Sequence, residues 1–398
     1  MTLPQPLAGV KVIDCTQIMA GPFCTMLLGD MGADVIKIEK PDGGDDVRRS
    51  GPPFLNGESA AFLGINRNKR SAVIDLKSEE GVAIVRRMAE SADILVQNMR
   101  PGTMEKMGLG YESLRKVNPA LVYSTISGYG ITGPYRDKAG FDLVAQGMSG
   151  IMSVTGFPGG APAKAGVPIT DLNAGLFGAY GIMCAYVNRL KTGHGQHVDT
   201  SLLEAGIAYT IWESSIYFAS GRSPGPNGSA HQLSAPYQAF PTSDGYVNVG
   251  GANQSNWLRI CQATGREDLL ADPRFATNAD RITNRAPLIA TLSATFVTGP
   301  TSHWLEALER AGVPCGPIYD MASVYADPQV QAREMVVEQE HPKSGRLRHI
   351  GIPVKLSDTP GAIRLPPPLL GQQTDEVLRE FGYAEAQIGD LRGRGVVR

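Results

Sequence analysis

The N-terminal half of the chain alternates short Val- and Ile-rich runs with segments of helical periodicity, and this alternation constrains the fold more than any other feature. The runs that predict strands are GVKVID at 9–14, ADVIKIE at 33–39, and residues 93–97 and 121–126; the segments that predict helices are 21–31 and 78–90. Strands that alternate with helices form right-handed βαβ units around a mostly parallel sheet. We therefore predict an α/β fold.

The later half of the chain predicts a long helix and a second domain. Residues 171–190 (DLNAGLFGAYGIMCAYVNRL) are almost uniformly small or apolar, so we expect this helix to be buried. Residues 220–229 (SGRSPGPNGS) have the composition of a linker, and the alternation at 238–249 predicts a hairpin beyond it. The predicted divisions are a large domain over 1–219, a small domain over 225–327, and a C-terminal segment over 328–398 that returns to the large domain.

Composition and charge exclude several classes of protein. Lys and Arg number 37 against 39 Asp and Glu, which gives a net charge of −2, so the chain lacks the basic excess that nucleic-acid binding requires. The five cysteines form no Cys-x-x-Cys pair, so we expect no disulfide framework and a cytoplasmic location. We recognise no signal peptide and no apolar stretch long enough for a bilayer, so no membrane partner is expected.

The common cofactor and hydrolase motifs are missing from the sequence. It contains no Gly-x-Gly-x-x-Gly after the first strand, no P-loop, no His-Glu-x-x-His and no Gly-x-Ser-x-Gly. His194 and His197 lie three residues apart but have no carboxylate or thiolate cluster near them in the sequence. We therefore predict neither a metal site nor a permanently bound cofactor.

Asp171 is the first candidate for chemistry, because it stands at the start of the apolar helix. One interpretation is an N-cap, a role that Asp favours and that contributes about 1 kcal/mol; Thr170 could share it. The other is a carboxylate that the helix N-terminus keeps ionised and that is available as a nucleophile. Taken alone, the position favours the cap.

Several segments, taken in order, resemble one known family. They are DCTQIMAGPF (14–23), NRNKRS (66–71), NMRPG (98–102), GVPITD (166–171), KTGHGQ (191–196) and PPLLG (367–371). Together they resemble the class III CoA-transferases, the family of formyl-CoA transferase and the carnitine CoA-transferases. GPPF (51–54), PYQAF (236–240) and GVPCGP (312–317) are similar to the branch that includes succinate–hydroxymethylglutarate CoA-transferase. The resemblance implies a Rossmann-like large domain, an inserted smaller α+β domain and an interlocked homodimer.

The resemblance also implies roles for individual residues. Asp171 becomes the catalytic nucleophile, which carries CoA from an acyl-CoA donor to a carboxylic acid through aspartyl anhydrides and an aspartyl-CoA thioester. Coenzyme A is then a substrate. The positions that contact CoA in the family fall on Gln17, Ile18, Ala20, Lys40, Ile74, Lys77, Asn98, Met99 and Lys106, with Lys138 as a further candidate for the phosphates. Gly250 and Gly251 fit the glycine-rich segment that covers the active site in formyl-CoA transferase, although a plain β-turn accounts for them equally well.

The acceptor acid and the activity leave alternatives open. With succinyl-CoA as the expected donor, a dicarboxylate acceptor would need a cation, for which Arg48 and Arg49 are candidates; equally, both could be ordinary surface arginines. The alternative activity on the same fold is that of α-methylacyl-CoA racemase, but Phe141 stands where that enzyme has a catalytic His. A catalytically silent CoA-binding relative is the other alternative.

Overall fold

The computed structural model describes residues 3–398. Within this range the strands are β1 (Lys11–Cys15), β2 (Asp34–Glu39), β3 (Phe54–Leu55), β4 (Glu58–Ser59), β5 (Lys69–Val73), β6 (Ile94–Gln97), β7 (Val122–Ser127), β8 (His197–Ser201), β9 (Tyr237–Pro241), β10 (Tyr246–Gly250), β11 (Cys315–Pro317), β12 (Val336–His341) and β13 (Gly345–Ile350).

The α-helices of the same range are α1 (Ala20–Asp30), α2 (Ala60–Ile65), α3 (Glu79–Ala89), α4 (Thr103–Lys106), α5 (Tyr111–Leu114), α6 (Asp142–Met148), α7 (Ile151–Val154), α8 (Ile169–Thr192), α9 (Leu202–Tyr209), α10 (Ile211–Ser220), α11 (Gln254–Ala263), α12 (Asn278–Thr283), α13 (Arg285–Phe296), α14 (Thr301–Arg310), α15 (Met321–Ala326), α16 (Pro328–Ala332), α17 (Thr374–Glu380) and α18 (Glu385–Gly393). Short 3₁₀ helices span Asp46–Arg49, Glu267–Leu270 and Pro273–Phe275. None of the helices is both long and apolar enough to span a bilayer.

Two compact units divide the described chain. The larger contains the residues up to Met152, Lys164–Arg222 and Gln329–Arg398, and the smaller contains Ser153–Ala163 and Ser223–Pro328. In the smaller unit, β9, β10 and β11 form an antiparallel sheet in the order β11-β10-β9. The hairpin predicted at 238–249 is confirmed as β9 and β10. This sheet and helices α11, α13 and α14 enclose a core that includes Phe240, Trp257, Phe296 and Trp304.

A six-stranded, wholly parallel sheet forms the centre of the larger unit, in the order β5-β2-β1-β6-β7-β8. The predicted α/β fold is confirmed. The chain runs from β1 outward to β2 and β5, then crosses back to β6 on the other side of β1. The carboxyl ends of β1 and β6 therefore border the crevice where open α/β sheets bind their ligands.

Helices cover both faces of this sheet, which explains why its central strands carry apolar residues that point to either side. Val12, Val35 and Ile94 lie on one face, in a buried cluster with side chains of α1 and α8. Ile13, Ile36 and Leu95 lie on the other, packed against α3, α17 and α18. The C-terminal residues thus complete the core that the N-terminal strands begin, and Val397 forms a β-bridge with Ile74.

Helix α8 corrects one expectation from the sequence. It was predicted to be buried, but only one side is: Leu176, Tyr180 and Leu190 are 48%, 67% and 70% exposed. The buried side approaches α1 so closely that a Cβ at Gly175 would lie 2.5 Å from Ala20 O, so this position requires glycine. The prediction of burial is therefore right for one face of α8 and wrong for the other.

The hairpin of β12 and β13 buries two histidines. His341 and His349 are 3% and 5% exposed, and the strand register places both on the face that also carries Leu347. His341 Nδ1 accepts a hydrogen bond from Ser344 N at 2.9 Å, so this imidazole is neutral. Burial, together with the positive charge of Arg67, lowers the pKa of His349 to about 4.

The buried histidine predicts acid sensitivity. An unfolded chain protonates His349 below pH 6.5, whereas the folded chain resists protonation down to about pH 4. The free energy of unfolding should therefore fall as pH drops through this window, at about 1.4 kcal/mol per pH unit, which is about 2 kcal/mol between pH 6.5 and pH 5. Urea unfolding at pH 7.5 and pH 5, compared between the wild type and His349→Gln, measures this contribution. The exposed His194 provides the matched control, His194→Gln; equal pH dependence in all three proteins would contradict the prediction.

Candidate active site

A group of fully buried charges lies at the carboxyl ends of β1 and β2. Asp14 accepts hydrogen bonds from Lys69 Nζ at 3.0 Å and from Thr16 N at 2.9 Å, while Lys37 Nζ donates to Thr16 O at 2.9 Å. Burial opposes ionisation of Asp14, but the charges of Lys69 and Lys37 outweigh it and hold the pKa below its usual range. Burial also lowers the pKa of Lys69 to about 8. These charges fix the start of the turn that joins β1 to α1.

Asn98 fixes the next residue of this turn across the crevice. Its Oδ1 accepts from Gln17 N at 2.9 Å, and its Nδ2 donates to Gln17 O at 2.7 Å. Asn98 follows β6 and Gln17 follows β1, so the pair ties together the ends of the two strands that border the crevice. Asn98 was predicted to contact CoA; in the structure its side chain holds the backbone of Gln17, another predicted contact.

A cavity of about 240 Å³ opens beside this turn. Five of the predicted CoA residues line it: Gln17, Lys40, Ile74, Lys77 and Met99. Apolar side chains, among them Ile38, Leu76 and Met107, share the lining with the two lysines. This combination suits a ligand that has both an apolar part and anionic groups.

The other predicted CoA residues lie outside the cavity lining. Ala20 is the buried first residue of α1, Ile18 is 39% exposed, and Lys106 ends α4. Lys138 lies in the loop after β7, with its Nζ 3.7 Å from the centre of the Tyr135 ring. Lys40, within the lining, pairs with Asp46 at 2.5 Å. The role of each in CoA binding stays a prediction.

The two arginines predicted for the acceptor acid have different environments. Arg48 donates two hydrogen bonds of 2.7 Å to Glu39, and its side chain is only 8% exposed. Its guanidinium carbon also lies 3.6 Å from the centre of the Phe62 ring. Arg49 is exposed and contacts Asp42 at 3.2 Å. Arg48 is thus occupied in holding the 3₁₀ helix to β2, which leaves Arg49 as the more accessible cation.

Gly250 and Gly251 lie in the smaller unit, at the end of β10. A Cβ at Gly251 would stand 2.1 Å from Pro236 O, and one at Gly250 would stand 3.1 Å from Pro314 O. Ala252 N donates to Gly250 O at 2.9 Å, which closes a tight turn. Close backbone approach therefore requires glycine at 251 and favours it at 250, and both predicted interpretations of the pair stay open.

Asp171 is the third residue of α8, whose N-cap position is Pro168. The N-cap interpretation of Asp171 is therefore wrong. The capping acceptor comes instead from Asp142 in α6, whose Oδ1 accepts from Thr170 N at 3.0 Å and Thr170 Oγ1 at 2.8 Å. Asp142 is in turn held by Gln146, which donates to its Oδ2 at 2.8 Å.

The Asp171 carboxyl group is half-buried and has no hydrogen-bond or ion-pair partner among residues 3–398. Burial raises its pKa to about 7, and the negative charge of Asp142 acts in the same direction. A carboxylate kept ionised by the helix N-terminus, one of the two interpretations of Asp171, would have a lowered pKa, so the direction of the shift is opposite to that interpretation. Near neutral pH a substantial fraction is ionised with its oxygens free, which is the state a nucleophile needs.

Asp142 is a residue of this site that none of the sequence motifs indicated. The signal was available in DLVAQ (142–146), because residues four apart lie on one face of a helix, and Asp and Gln there can bond each other. Gln146 Oε1 also accepts from Ala165 N at 2.8 Å, so α6 orders the segment that leads into α8. Among residues 3–398, no three His, Cys, Asp or Glu side chains are grouped so that they could hold a metal ion.

Comparison with known proteins gives one consistent result. A profile of CoA-transferase family III matches residues 7–374. Human succinyl-CoA:glutarate CoA-transferase is 42% identical over 394 residues, 99% of this chain and 90% of that protein. Succinate–glutarate CoA-transferase of Agrobacterium fabrum is 40% identical over 386 residues, 96% of each chain. The crystal structure of a CAIB/BAIF family protein from Brucella suis has 39% identity and a TM-score of 0.85, covering 95% of this chain and all of that one.

The electrostatics of Asp171 predict an unusual titration. We expect its carboxyl group to titrate near pH 7, and its pKa to fall in Asp142→Asn, because that substitution removes a like charge but keeps an amide oxygen for Thr170. The ¹³C shift of the carboxyl carbon, assigned by its loss in Asp171→Asn, measures both values. Asp358→Asn, at an exposed position, is the control. A wild-type pKa near 4, or equal values in wild type and Asp142→Asn, would contradict this account.

Proposed function

The chain belongs to CoA-transferase family III, and we propose that it transfers CoA from succinyl-CoA to a dicarboxylic acid through covalent intermediates on Asp171. It is a CoA-transferase by its family and by full-length relatives of that activity. The observation that carries the covalent mechanism is the Asp171 carboxylate itself, half-buried, without a hydrogen-bond partner in residues 3–398, and with a pKa near 7.

The reaction proceeds through two anhydrides and one thioester. An Asp171 oxygen attacks the thioester carbonyl carbon of succinyl-CoA, the C–S bond breaks, and CoA leaves as a thiolate. The thiolate then attacks the Asp171 carbonyl of this anhydride, which releases succinate and leaves CoA on the aspartate as a thioester. The acceptor carboxylate attacks that thioester, and the departing thiolate attacks the acceptor carbonyl of the second anhydride. The products are the new acyl-CoA and free Asp171, with no net change in thioester bonds or protons.

The local electrostatics support this sequence of steps. A carboxylate with a raised pKa is a better nucleophile than an ordinary aspartate, because nucleophilicity rises with basicity. Asp171 lies in the first turn of α8, where the positive end of the helix dipole stabilises the oxyanions that form at each attack. The lack of competing hydrogen bonds to Asp171 leaves its oxygens free for the thioester carbon.

The identity of the acids is supported by the two named relatives, one a succinyl-CoA:glutarate and the other a succinate–glutarate transferase. We propose glutarate or a dicarboxylate of similar length as the acceptor. A second carboxylate on the acid needs a cation, and Arg49 is the better of the two predicted candidates because Arg48 is bound to Glu39.

The exposed apolar face of α8 supports the proposal of a homodimer. The same region of the chain continues into α9 and α10, which expose further large side chains: Ile211 and Phe218 are 72% and 80% exposed. Exposed apolar surface of this extent is typical of a protein interface. A second copy of the chain is its proposed partner, as the interlocked dimers of the family imply.

A cytoplasmic location is also proposed. The cysteines Cys15, Cys24, Cys184, Cys261 and Cys315 are all free thiols. Unpaired cysteines, including the exposed Cys184, are typical of a reducing compartment.

We expect the purified protein, given succinyl-CoA and a panel of acids, to form the CoA thioester of glutarate or a similar dicarboxylate. The panel is oxalate, glutarate, hydroxymethylglutarate, itaconate, citramalate, mesaconate and carnitine, and mass spectrometry identifies each product. Asp171→Asn should lower the rate of CoA exchange by a factor of at least about 10³, because it removes the nucleophile at nearly constant side-chain volume. Rapid quenching of the wild type should show an intact mass increased by covalent CoA at Asp171.

The matched control is Asp358→Asn, which changes an exposed aspartate to asparagine and should retain wild-type exchange. Exchange that survives in Asp171→Asn would contradict the covalent mechanism. If no acid yields a thioester, the proposed substrates are wrong, and α-proton exchange on a 2-methylacyl-CoA then tests for the racemase.

We expect the protein to sediment with twice the mass of one chain. Phe218→Glu places a charge on the apolar face and should shift the mass toward the monomer, because desolvating an unpaired charge at an interface is costly. Lys191→Glu, at an exposed polar position at the end of α8, serves as the control. A wild-type protein that remains monomeric at micromolar concentration would contradict the proposal.

A further inference from the structure

Ile18 has a backbone conformation that its residue type rarely adopts. Its φ is +70°, in the left-handed region, although isoleucine is β-branched. A residue of this kind is held there only when its surroundings determine the conformation, at a cost of order 1–3 kcal/mol. Its side chain is 39% exposed, so packing alone does not fix it.

Asp45 supplies the constraint. Its Oδ1 accepts a hydrogen bond from Ile18 N at 3.0 Å, and its Oδ2 lies 2.8 Å from Lys37 Nζ, with both side chains almost fully buried. Lys37 Nζ donates to Thr16 O at 2.9 Å as well. One buried ion pair therefore holds both ends of the turn 16–18, and the Asn98 side chain holds its middle.

Asp45 also lines the cavity, together with Thr16 and Gln17 of the same turn. CoA carries several negative phosphates, so a carboxylate in the wall of its site makes a poor direct contact with them. The positive charge of Lys37 compensates Asp45. Asp45 Oδ1 also accepts from Val47 N at 3.0 Å, which caps the 3₁₀ helix Asp46–Arg49. The position of this carboxylate is thus explained by the two backbone segments that it holds rather than by contact with the ligand.

We infer that Asp45, compensated by Lys37, is a positioning residue that holds Ile18 in its left-handed conformation and thereby shapes the turn 16–18 for acyl-CoA. The inference rests on the proposed function, in that the ligand of the cavity is taken to be CoA. Asp45 acts on the ligand through the backbone of the turn.

The test is a double-mutant cycle between Asp45 and Ile18, with CoA affinity measured by isothermal titration calorimetry. Asp45→Ala should weaken CoA binding about tenfold, because Ile18 without its acceptor returns to an ordinary backbone conformation. In an Ile18→Gly background the same substitution should weaken binding less than about threefold, since glycine adopts a φ of +70° without strain. A purely structural role of Asp45 would not be rescued by glycine at position 18.

Asp45→Asn is the second variant, for the case that Asp45→Ala does not fold. It keeps an oxygen for Ile18 N and should bind CoA within about threefold of the wild type. Equal losses from Asp45→Ala in both backgrounds, or a tenfold loss in Asp45→Asn, would overturn the inference. CoA binding is measured without any acceptor acid. A wild type that binds CoA but transfers it to no acid would contradict the proposed function, whereas the ratios of CoA affinity between the variants would still test the role of Asp45.

Discussion

The active-site end of this protein depends on buried ion pairs between Lys37, Lys69 and two aspartates, Asp14 and Asp45. Burying a charge is expensive, and only close, well-bonded partners offset the cost. Here each charge has such partners, and several of those partners are peptide groups of the turn 16–18. The same bonds that make the burial tolerable therefore also determine the shape of the backbone beside the cavity. Truncating one of these side chains, so that its hydrogen bonds are lost, would disturb both.

The environment of Asp171 shifts its pKa in the opposite direction to that of Asp14. In the charged group every carboxylate is compensated, and the pKa of Asp14 lies below its usual range. Asp171 has no such compensation: burial and the nearby Asp142 raise its pKa to about 7. Asp142 accepts the hydrogen bonds of the helix start and so leaves Asp171 unbonded. The fold thus stabilises the carboxylates that maintain its shape and leaves reactive the one proposed to do chemistry.

The sequence predicted the parallel sheet because a strand buried on both faces leaves a run of apolar residues, as in Ile94–Val96 of β6. It missed β5, whose first two residues are Lys69 and Arg70, because a buried cation is indistinguishable from a surface one until its partner is known. Half of the CoA residues predicted from the sequence line the cavity. Asp45 and Asp142 were not predicted, because their roles follow from hydrogen bonds between distant segments of the chain. The exposure of one face of α8 could not be predicted from the sequence either, since an apolar residue pattern does not show which surface, if any, covers a helix.

The larger unit draws its core from both ends of the chain. Val377 and Leu391, in the last two helices, pack on the same sheet face as Ile13 and Ile36. A ribosome must therefore release the helices α17 and α18 before this face is covered, whereas the smaller unit, apart from Ser153–Ala163, is one continuous stretch that is finished earlier. During synthesis the nascent sheet remains open to chaperones and proteases, and premature termination anywhere before α17 yields a chain that exposes an apolar sheet face. Loss of α17 and α18 would thus be more damaging than their separation from Asp171 along the sequence suggests.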